Sequence, residues 1–296
     1  MPPTRIAIVG LLIVLPVMAQ SPPPEFDVAS IRLNVQGGPW VFNGQKSPGT
    51  FAAENQTLRA LIQEAYGRPS GKRNWLPVFV AAGAGIPIYG GPKWIGSDRY
   101  NITAKWTASP DAYATVQSID KTQAEMDLRL RALLEQRFKV KLHRETRELP
   151  VYELRIAKAG KLRQGTCTTF NPTDPLSTAG PQLVHYCGTS GLGRKGLDWT
   201  LDGAGMKMAD LASTLSFLIG TRTVVDQTGF TGTFDAHLRW TPGMGEFGAT
   251  HVPPSPEDVD ESIFTVLQEQ LGLTLKAGNG PVEVIVIDHA ERPSEN

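Results

Sequence analysis

Two stretches of the chain decide the fold: TLRALIQEAYG at residues 57–67 and KMADLASTLSFLIG at residues 207–220. Both place apolar side chains at the spacing of one face of an amphipathic helix. Leu61 of the first stretch matches Leu211 of the second, and the rest of the apolar stripe keeps the same displacement along the chain. We call this distance the first-helix displacement. Its constancy over a whole helical face predicts that one helix occurs twice.

The strand that follows each helix is repeated too. SDRYNITAKW ends at Trp106 and TGTFDAHLRW ends at Trp240. The displacement from Trp106 to Trp240 is shorter than the first-helix displacement, so the first copy carries extra residues between its helix and its strand. They fall in the Gly- and Pro-rich segment of residues 68–93, which predicts a loop insertion.

A second helix and a hairpin complete each predicted unit. The apolar stripe that contains Leu134 recurs around Leu267, and we call the distance between these two leucines the second-helix displacement. Each stripe runs into alternating apolar and polar residues, at 138–158 and 273–289, the second with a Gly-Asn-Gly turn sequence. The sequence thus predicts an α+β fold: a tandem duplication of a strand-helix-strand plus helix-hairpin unit, in two pseudo-symmetric lobes with mainly antiparallel sheets.

The predicted segments are a signal peptide at 1–19, copy one at 20–160, a connector at 161–182 and copy two at 183–296. Arg5 precedes the apolar run IAIVGLLIVLPVMA, which is too short to span a bilayer comfortably, and small residues precede a cut after Ala19. An uncleaved membrane anchor is the alternative, which Pro16 disfavours. We therefore expect a periplasmic or secreted protein with no stable membrane span after cleavage.

Composition narrows the classes of function. The 296 residues, 41% hydrophobic and 20% charged, can bury one or two sizeable cores. The net charge of zero argues against a nucleic-acid partner held by general phosphate attraction, but it allows a local basic patch. The motifs Gly-x-Ser-x-Gly, His-Glu-x-x-His, GxxxxGK and paired Cys-x-x-Cys do not occur, so we expect no cofactor and no metal.

Cys167 and Cys187 are the only cysteines, and both lie in the polar stretch TCTTFNPTDPLSTAGPQLVHYCG, which covers most of the connector and the start of copy two. In an exported chain, a bridge between them would close a loop that little secondary structure holds. We therefore predict a structural disulfide. A reactive thiol is the alternative, but the Cys-x-x-Cys spacing is missing.

Two charged clusters around histidine are the candidate catalytic groups. His143 and Glu145 share one face of an extended strand, and Glu291 follows His289 closely. Together they could form an acid/base or metal site built from the two hairpins. Alternating charge on a solvated strand face, which discourages edge-to-edge pairing, is the favoured interpretation. No catalytic residue is therefore predicted, and these four form the alternative site.

Exposed aromatic and cationic side chains are the candidate binding residues. Trp75 and Tyr89 lie in the insertion of copy one, where exposed aromatic rings can form a recognition surface. Arg144 and Arg292 belong to the two histidine clusters and are assigned to binding with them.

Seven motifs, spread over nearly the whole mature chain, carry a family resemblance: FDVASIRLN, NQTLRALIQEAYG, GGPKWIGSDRYNI, LLEQRFKVKLHRETRELPVYELRIAK, VVDQTGFTGTFD, SIFTVLQEQLGLTL and PVEVIVIDHAERPSEN. They are similar to a soil-associated bacterial family of unknown function, whose domain also occurs attached to membrane metallopeptidase sensors of the beta-lactam-responsive type. The resemblance implies no activity or substrate. The zinc helix of the attached peptidase is missing from this chain, so that activity is not implied either.

Two functions remain open. The first is an exported, non-catalytic interaction or sensing module for an unknown protein or cell-envelope ligand, and we favour it. The second is an extracytoplasmic hydrolase with a His/Glu site built from the two hairpins. Convergence of the two clusters in one concave pocket would favour the hydrolase, whereas open strand faces would favour the binding module.

Overall fold

The computed structural model describes residues 23–37, 41–47, 49–67, 86–169, 173, 187–196, 198–241 and 262–294. Within them the fold is α+β, with four α-helices and three four-stranded sheets whose strands pair mainly antiparallel, which confirms the predicted class. The predicted signal peptide and Trp75 lie outside the described residues. None of the helices in the described ranges is both long enough and apolar enough to cross a membrane.

The first sheet has the strand order β1-β5-β3-β2 and is antiparallel throughout. Its strands are β1 (Val28–Leu33), β2 (Val41–Ser47), β3 (Thr50–Thr57) and β5 (Arg99–Lys105). Helix α1 (Leu58–Tyr66) follows β3 directly, because the Thr57 side chain accepts a hydrogen bond from the backbone N–H of Ala60 and caps the helix.

The second sheet has the order β7-β11-β9-β8 and is also antiparallel. Its strands are β7 (Arg163–Gln164), β8 (Thr189–Lys195), β9 (Asp198–Met206) and β11 (Phe234–Trp240). Helix α3 (Met208–Ile219) starts just after β9 and ends at Gly220 in the left-handed conformation that favours glycine. Chain order and sheet order therefore match those of the first sheet, with β7 in the place of β1.

The central sheet joins the two halves of the chain, residues 23–156 and 157–294. It has the order β10-β6-β12-β4, with β4 (Ile88–Gly90), β6 (Lys141–Ile156), β10 (Thr223–Asp226) and β12 (Leu273–His289). β6 and β12 pair antiparallel along almost their whole length. Each short edge strand runs parallel to a long strand of the other half, β4 beside β12 and β10 beside β6.

Both predicted hairpins are wrong. Residues 141–156 and 273–289 are single strands that pair with each other. Gly278 and Gly280, placed in the predicted turn, pair with Val151 and Leu149 and are not among the glycines with positive φ. A two-residue hairpin turn of type I′ or II′ requires a positive φ. These glycines do not have one, so the chain does not turn back and continues as one strand. The alternating pattern is the same whether a strand pairs with its neighbour or with a distant strand.

The remaining helices cover the sheets. α2 (Val116–Arg137) begins at a capping box, in which Thr115 and Ser118 each accept a backbone hydrogen bond from the other. α4 (Ile263–Val266) continues as one π-helical turn (Leu267–Leu271). The first large core contains Leu61 and Trp106, and the second contains Leu211 and Trp240.

A β-bulge sits before the first helix of each half. Asn55 and Gly205 both have a φ of 55°, and they are separated by the first-helix displacement. The Asn55 N–H donates to Oδ1 of Asn101 at 2.8 Å, and the Gly205 N–H donates to Oδ1 of Asp235 at 2.8 Å. The register of both sheets shifts at this point. The bend that starts each helix therefore uses the same side-chain-to-backbone hydrogen bond.

The predicted disulfide is confirmed. Cys167 and Cys187 are bonded, with their Cα atoms 4.9 Å apart. A Cβ at Gly205 would lie 2.5 Å from Sγ of Cys167, so only glycine leaves room for the bridge against the bulge. The disulfide holds the chain after β7 against the chain before β8.

Candidate functional site

The first candidate cluster lies on the central sheet, where β6 and β12 run side by side. His143 is opposite Val286, so its ring reaches Asp288, two residues further along β12. Nδ1 of His143 is 2.9 Å from Oδ1 of Asp288, and its Nε2 is 3.6 Å from Oε2 of Glu145. Nε of Arg147 donates to Oε1 of Glu145 at 2.5 Å. The sequence predicted the neighbourhood of His143 and Glu145, but it did not assign Asp288 to the alternative site.

The cluster is charged and open to solvent. The hydrogen bond with Asp288 is the main cause that raises the pKa of His143, and burial opposes it. The hydrogen bond from Arg147 is the main cause that lowers the pKa of Glu145. The His143 and Asp288 side chains are 50% and 48% exposed, so water screens their attraction.

His289 and Glu291 form a separate pair. Nε2 of His289 is 2.8 Å from Oε1 of Glu291, and the two side chains are 47% and 58% exposed. Across the described ranges, no hydrogen bond or ion pair joins this pair to His143. The residues of the alternative catalytic site therefore form two exposed pairs, and Glu291 lies just beyond the end of β12. Within the same ranges, no three His, Cys, Asp or Glu side chains group in a way that could hold a metal ion.

The predicted binding residues that the structure describes are held by contacts within the chain. The Arg147 guanidinium lies 4.6 Å from the ring centre of Tyr89. Arg144 donates to the Tyr66 carbonyl at the end of α1 and pairs with Glu283. The last predicted binding residue, Arg292, stacks on a tryptophan ring and pairs with an acidic side chain; its partners are Trp94 at 5.2 Å and Asp98 at 2.8 Å.

A groove of about 540 Å³, which we name the junction groove, lies where the two halves meet. It combines aromatic, proline, amide, hydroxyl and guanidinium groups from both halves; among them are Gln63, Pro87, Tyr89, Pro150, Ser216 and Arg222. The Ser216 hydroxyl is already used, since it donates to the Ala212 carbonyl and accepts from the Val224 N–H, both at 2.8 Å. Among the predicted binding residues that the structure describes, Tyr89 is the one that lines this groove.

A second groove, of about 460 Å³, lies at the end of α2 and is named the α2–β6 groove. Its lining residues are Tyr66, Glu135, Lys139, Val140, Lys141 and Leu142. The Tyr66 hydroxyl donates to Glu135 at 2.8 Å, and burial raises the pKa of Tyr66 far above its usual value. Sequence reasoning missed this groove, although the alternation Lys-Val-Lys that leads into β6 is visible in the sequence.

Residues 82–290 match the family model described as a protein of unknown function, DUF3738. The match spans both long strands of the central sheet and more than half of the chain. The chain belongs to the DUF3738 family. No curated protein and no solved structure matches it. The DUF3738 region includes His143, Asp288 and most of the lining of the junction groove, but not α1.

Proposed function

We propose that this DUF3738 protein is an exported, non-catalytic module that binds a protein or cell-envelope ligand in the junction groove. The observation that carries the proposal is the contrast between the two candidate regions. The histidine clusters are exposed and satisfied by their own charged neighbours, whereas the junction groove is concave and has a mixed lining. Concave surfaces with apolar walls and a few polar groups are where ligands usually bind.

Export is the second part of the proposal. The charged start, the short apolar run and the small residues before Ala19 support a cleaved signal peptide. The Cys167–Cys187 disulfide supports an oxidising compartment, because such bridges persist outside the cytosol. The resemblance to domains attached to membrane sensor peptidases favours a sensing role.

We also propose that the chain arose by tandem duplication and has two pseudo-symmetric lobes. The equal sheet orders and the shared bulge support this origin. The central sheet adds a further argument, because Leu142 pairs with Ile287 and Leu154 pairs with Leu275. The second-helix displacement leads from Leu142 to Leu275 and from Leu154 to Ile287. Each pair therefore consists of the counterparts of the other, as a two-fold axis through the sheet requires. The junction groove would then be a site formed between two copies.

The test is affinity capture with matched variants of the mature chain, residues 20–296. Wild type, Tyr89→Ala and His143→Ala are each immobilised and exposed to a bacterial envelope extract, and captured material is identified by mass spectrometry. We expect one ligand to be retained by wild type and His143→Ala but lost from Tyr89→Ala. Both variants must keep the wild-type melting transition. A ligand retained equally by all three chains would contradict binding in the groove.

The hydrolase is the alternative, and one observation favours it. Asp288 orients the His143 ring, as a carboxylate does for a catalytic histidine base. Purified protein is therefore assayed on a peptidoglycan fragment, a peptide and an ester. Turnover that disappears in the folded double variant His143→Ala/His289→Ala would establish the hydrolase and overturn the binding module. Absence of turnover on all three substrates is the outcome that we expect.

A further inference from the structure

Corresponding helix ends in the two halves differ at one backbone position. Helix α2 is followed by Lys139 with a φ of 51°, and the π-helical turn after α4 is followed by Gly272 with a φ of 68°. The two positions are separated by the second-helix displacement. Glycine suits this left-handed conformation, whereas a side chain makes it unfavourable. The first half therefore keeps a lysine where the backbone favours glycine.

Lys139 lines the α2–β6 groove together with Lys141. Both side chains are exposed, and in the described part of the chain neither forms an ion pair with a carboxylate. Among the described lining residues, Glu135 is the one carboxylate, and it accepts the hydrogen bond of the Tyr66 hydroxyl. Two ammonium groups thus face one carboxylate, which leaves a net positive charge among the described lining residues.

Two arginines lie at the end of α1 beside Tyr66, and Arg144 is also paired with Glu283, so Arg131 is the one of the two that adds uncompensated positive charge among the described residues. Nε of Arg131 donates to the Ala65 carbonyl at 2.7 Å, and Arg144 donates to the Tyr66 carbonyl. These bonds satisfy the end of α1, whose last turn has no basic residue of its own. The negative end of the helix dipole is therefore neutralised by these side chains before any ligand arrives.

The other half has the same apolar positions without the charges. Val140 and Leu142 correspond to Leu273 and Leu275 at the second-helix displacement. The charged residues Arg131, Glu135, Lys139, Lys141 and Arg144 correspond to Phe264, Gln268, Gly272, Thr274 and Ala277. The scaffold of this corner is thus common to both halves, and the cationic groups are particular to the first.

We propose that the α2–β6 groove is a phosphate-binding site in which Lys139 and Lys141 bind the anion. Unpaired ammonium groups bind phosphate as point charges. Val140, Leu142 and the ring of Tyr66 provide apolar surface for the group that carries the phosphate. The phosphate belongs to a small soluble ester or to a lipid headgroup. This site is separate from the junction groove, so either can fail without the other.

The test measures binding of the full mature chain to two probes. Glycerol 3-phosphate is titrated with the protein by calorimetry, and vesicles of phosphatidylglycerol in phosphatidylcholine are used in co-sedimentation. Binding to the soluble probe identifies a small ester as the source, and binding to the vesicles alone identifies a lipid. Succinate and pure phosphatidylcholine vesicles are the controls for unspecific charge and for bilayer contact.

The variants remove the charge without harming the fold. Lys139→Gly and Lys141→Thr install the residues of the second half, and Lys276→Gln removes an exposed lysine from the opposite end of β12. We expect each groove variant to weaken binding about tenfold, the value of one charge-assisted hydrogen bond, and Lys276→Gln to leave it unchanged. Binding to neither probe, equal binding of succinate, or unchanged binding in the double groove variant would overturn the proposal.

Discussion

The two halves of the molecule share a backbone plan but differ in the polarity of matched positions. The pair Gln56 and Tyr100 bridges β3 and β5 in the first half, and Met206 and Phe234 bridge β9 and β11 in the second. All four are buried at the base of the first helix. Matched core positions are thus polar in the first half and apolar in the second.

The polar pair is unusual because it lacks partners. Nε2 of Gln56 and the Tyr100 hydroxyl are both buried without a hydrogen-bond partner in the described part of the chain. A buried polar group without a partner destabilises the folded state. The second half avoids this destabilisation with Met206 and Phe234. The apolar pair of the second half shows that the shared backbone plan does not require polar groups at these two positions.

The largest expected effect tests the common scaffold. Leu61 and Leu211 are fully buried in the two large cores, so replacing either by Ala should lower the free energy of unfolding by about 2–5 kcal/mol. The two losses should be similar, since both leucines pack the first helix of a half against its sheet. Urea denaturation followed by circular dichroism measures them. A large loss at one position and none at the other would break the equivalence of the halves.

The sequence predicts the helices and the disulfide of this molecule better than it predicts how the long strands pair. The helical stripes around Leu61 and Leu211 predicted two buried helices, because apolar residues that recur once per helical turn are specific to an amphipathic helix. The position of the only two cysteines in one polar connector, together with the expected export, predicted their disulfide. The pattern of β6 and β12 predicted strands but not their partners, since alternation sets the buried face and not the neighbouring strand.

The candidate site was less predictable for a related reason. Asp288 joins His143 only because β12 lies beside β6, a contact between positions far apart in the sequence. The junction groove takes Tyr89 and Arg222 from different halves, so no local motif could indicate it. The αL conformation of Lys139 could have been suspected only by aligning it with Gly272.

The second prediction concerns the disulfide, which marks the second half. Cys167 and Cys187 are separated by 20 residues, so a double Cys→Ser variant should lose about 3 kcal/mol of unfolding free energy. The loss should come from the sheet of β7, β8, β9 and β11, near Gly205. In this variant the hydrogen-exchange rates of the β9 amides should rise, while those of the β3 amides should stay constant. Equal rises in both strands would show that the bridge stabilises the whole chain.

The third prediction exchanges the helix ends of the two halves. The left-handed conformation destabilises the folded protein by about 1–2 kcal/mol when the residue is lysine. Replacing Lys139 by glycine removes this strain, but the greater flexibility of glycine in the unfolded chain offsets about 0.5–1 kcal/mol of the stability gained. Lys139→Gly should therefore raise the melting temperature slightly. Gly272→Ala should lower it more strongly, because a Cβ there would lie 2.4 Å from the Lys158 carbonyl oxygen. Differential scanning calorimetry measures the change in melting temperature of both variants. A lower melting temperature of Lys139→Gly would contradict backbone strain at Lys139.

The fourth prediction removes a polar group that the second half lacks. Tyr100→Phe should leave stability unchanged or raise it by about 1 kcal/mol, since the hydroxyl has no partner among the described residues. Phe234→Tyr is the matched reverse change and should destabilise, because it buries a hydroxyl in an apolar core. Denaturation midpoints of the two variants give the comparison. Loss of stability in Tyr100→Phe would indicate a partner for the hydroxyl.

The smallest expected effect concerns His143, which has its counterpart in Lys276 at the second-helix displacement. The hydrogen bond with Asp288 raises the pKa of His143 in the folded protein. The protonated ring thus favours folding at pH values below the unfolded pKa, and this contribution disappears as pH rises through the folded pKa. Because the side chain is half exposed, His143→Ala should lower the melting temperature only slightly at pH 5 and leave it unchanged at pH 8. The same shift at both pH values would mean that the ring acts through packing and not through its charge.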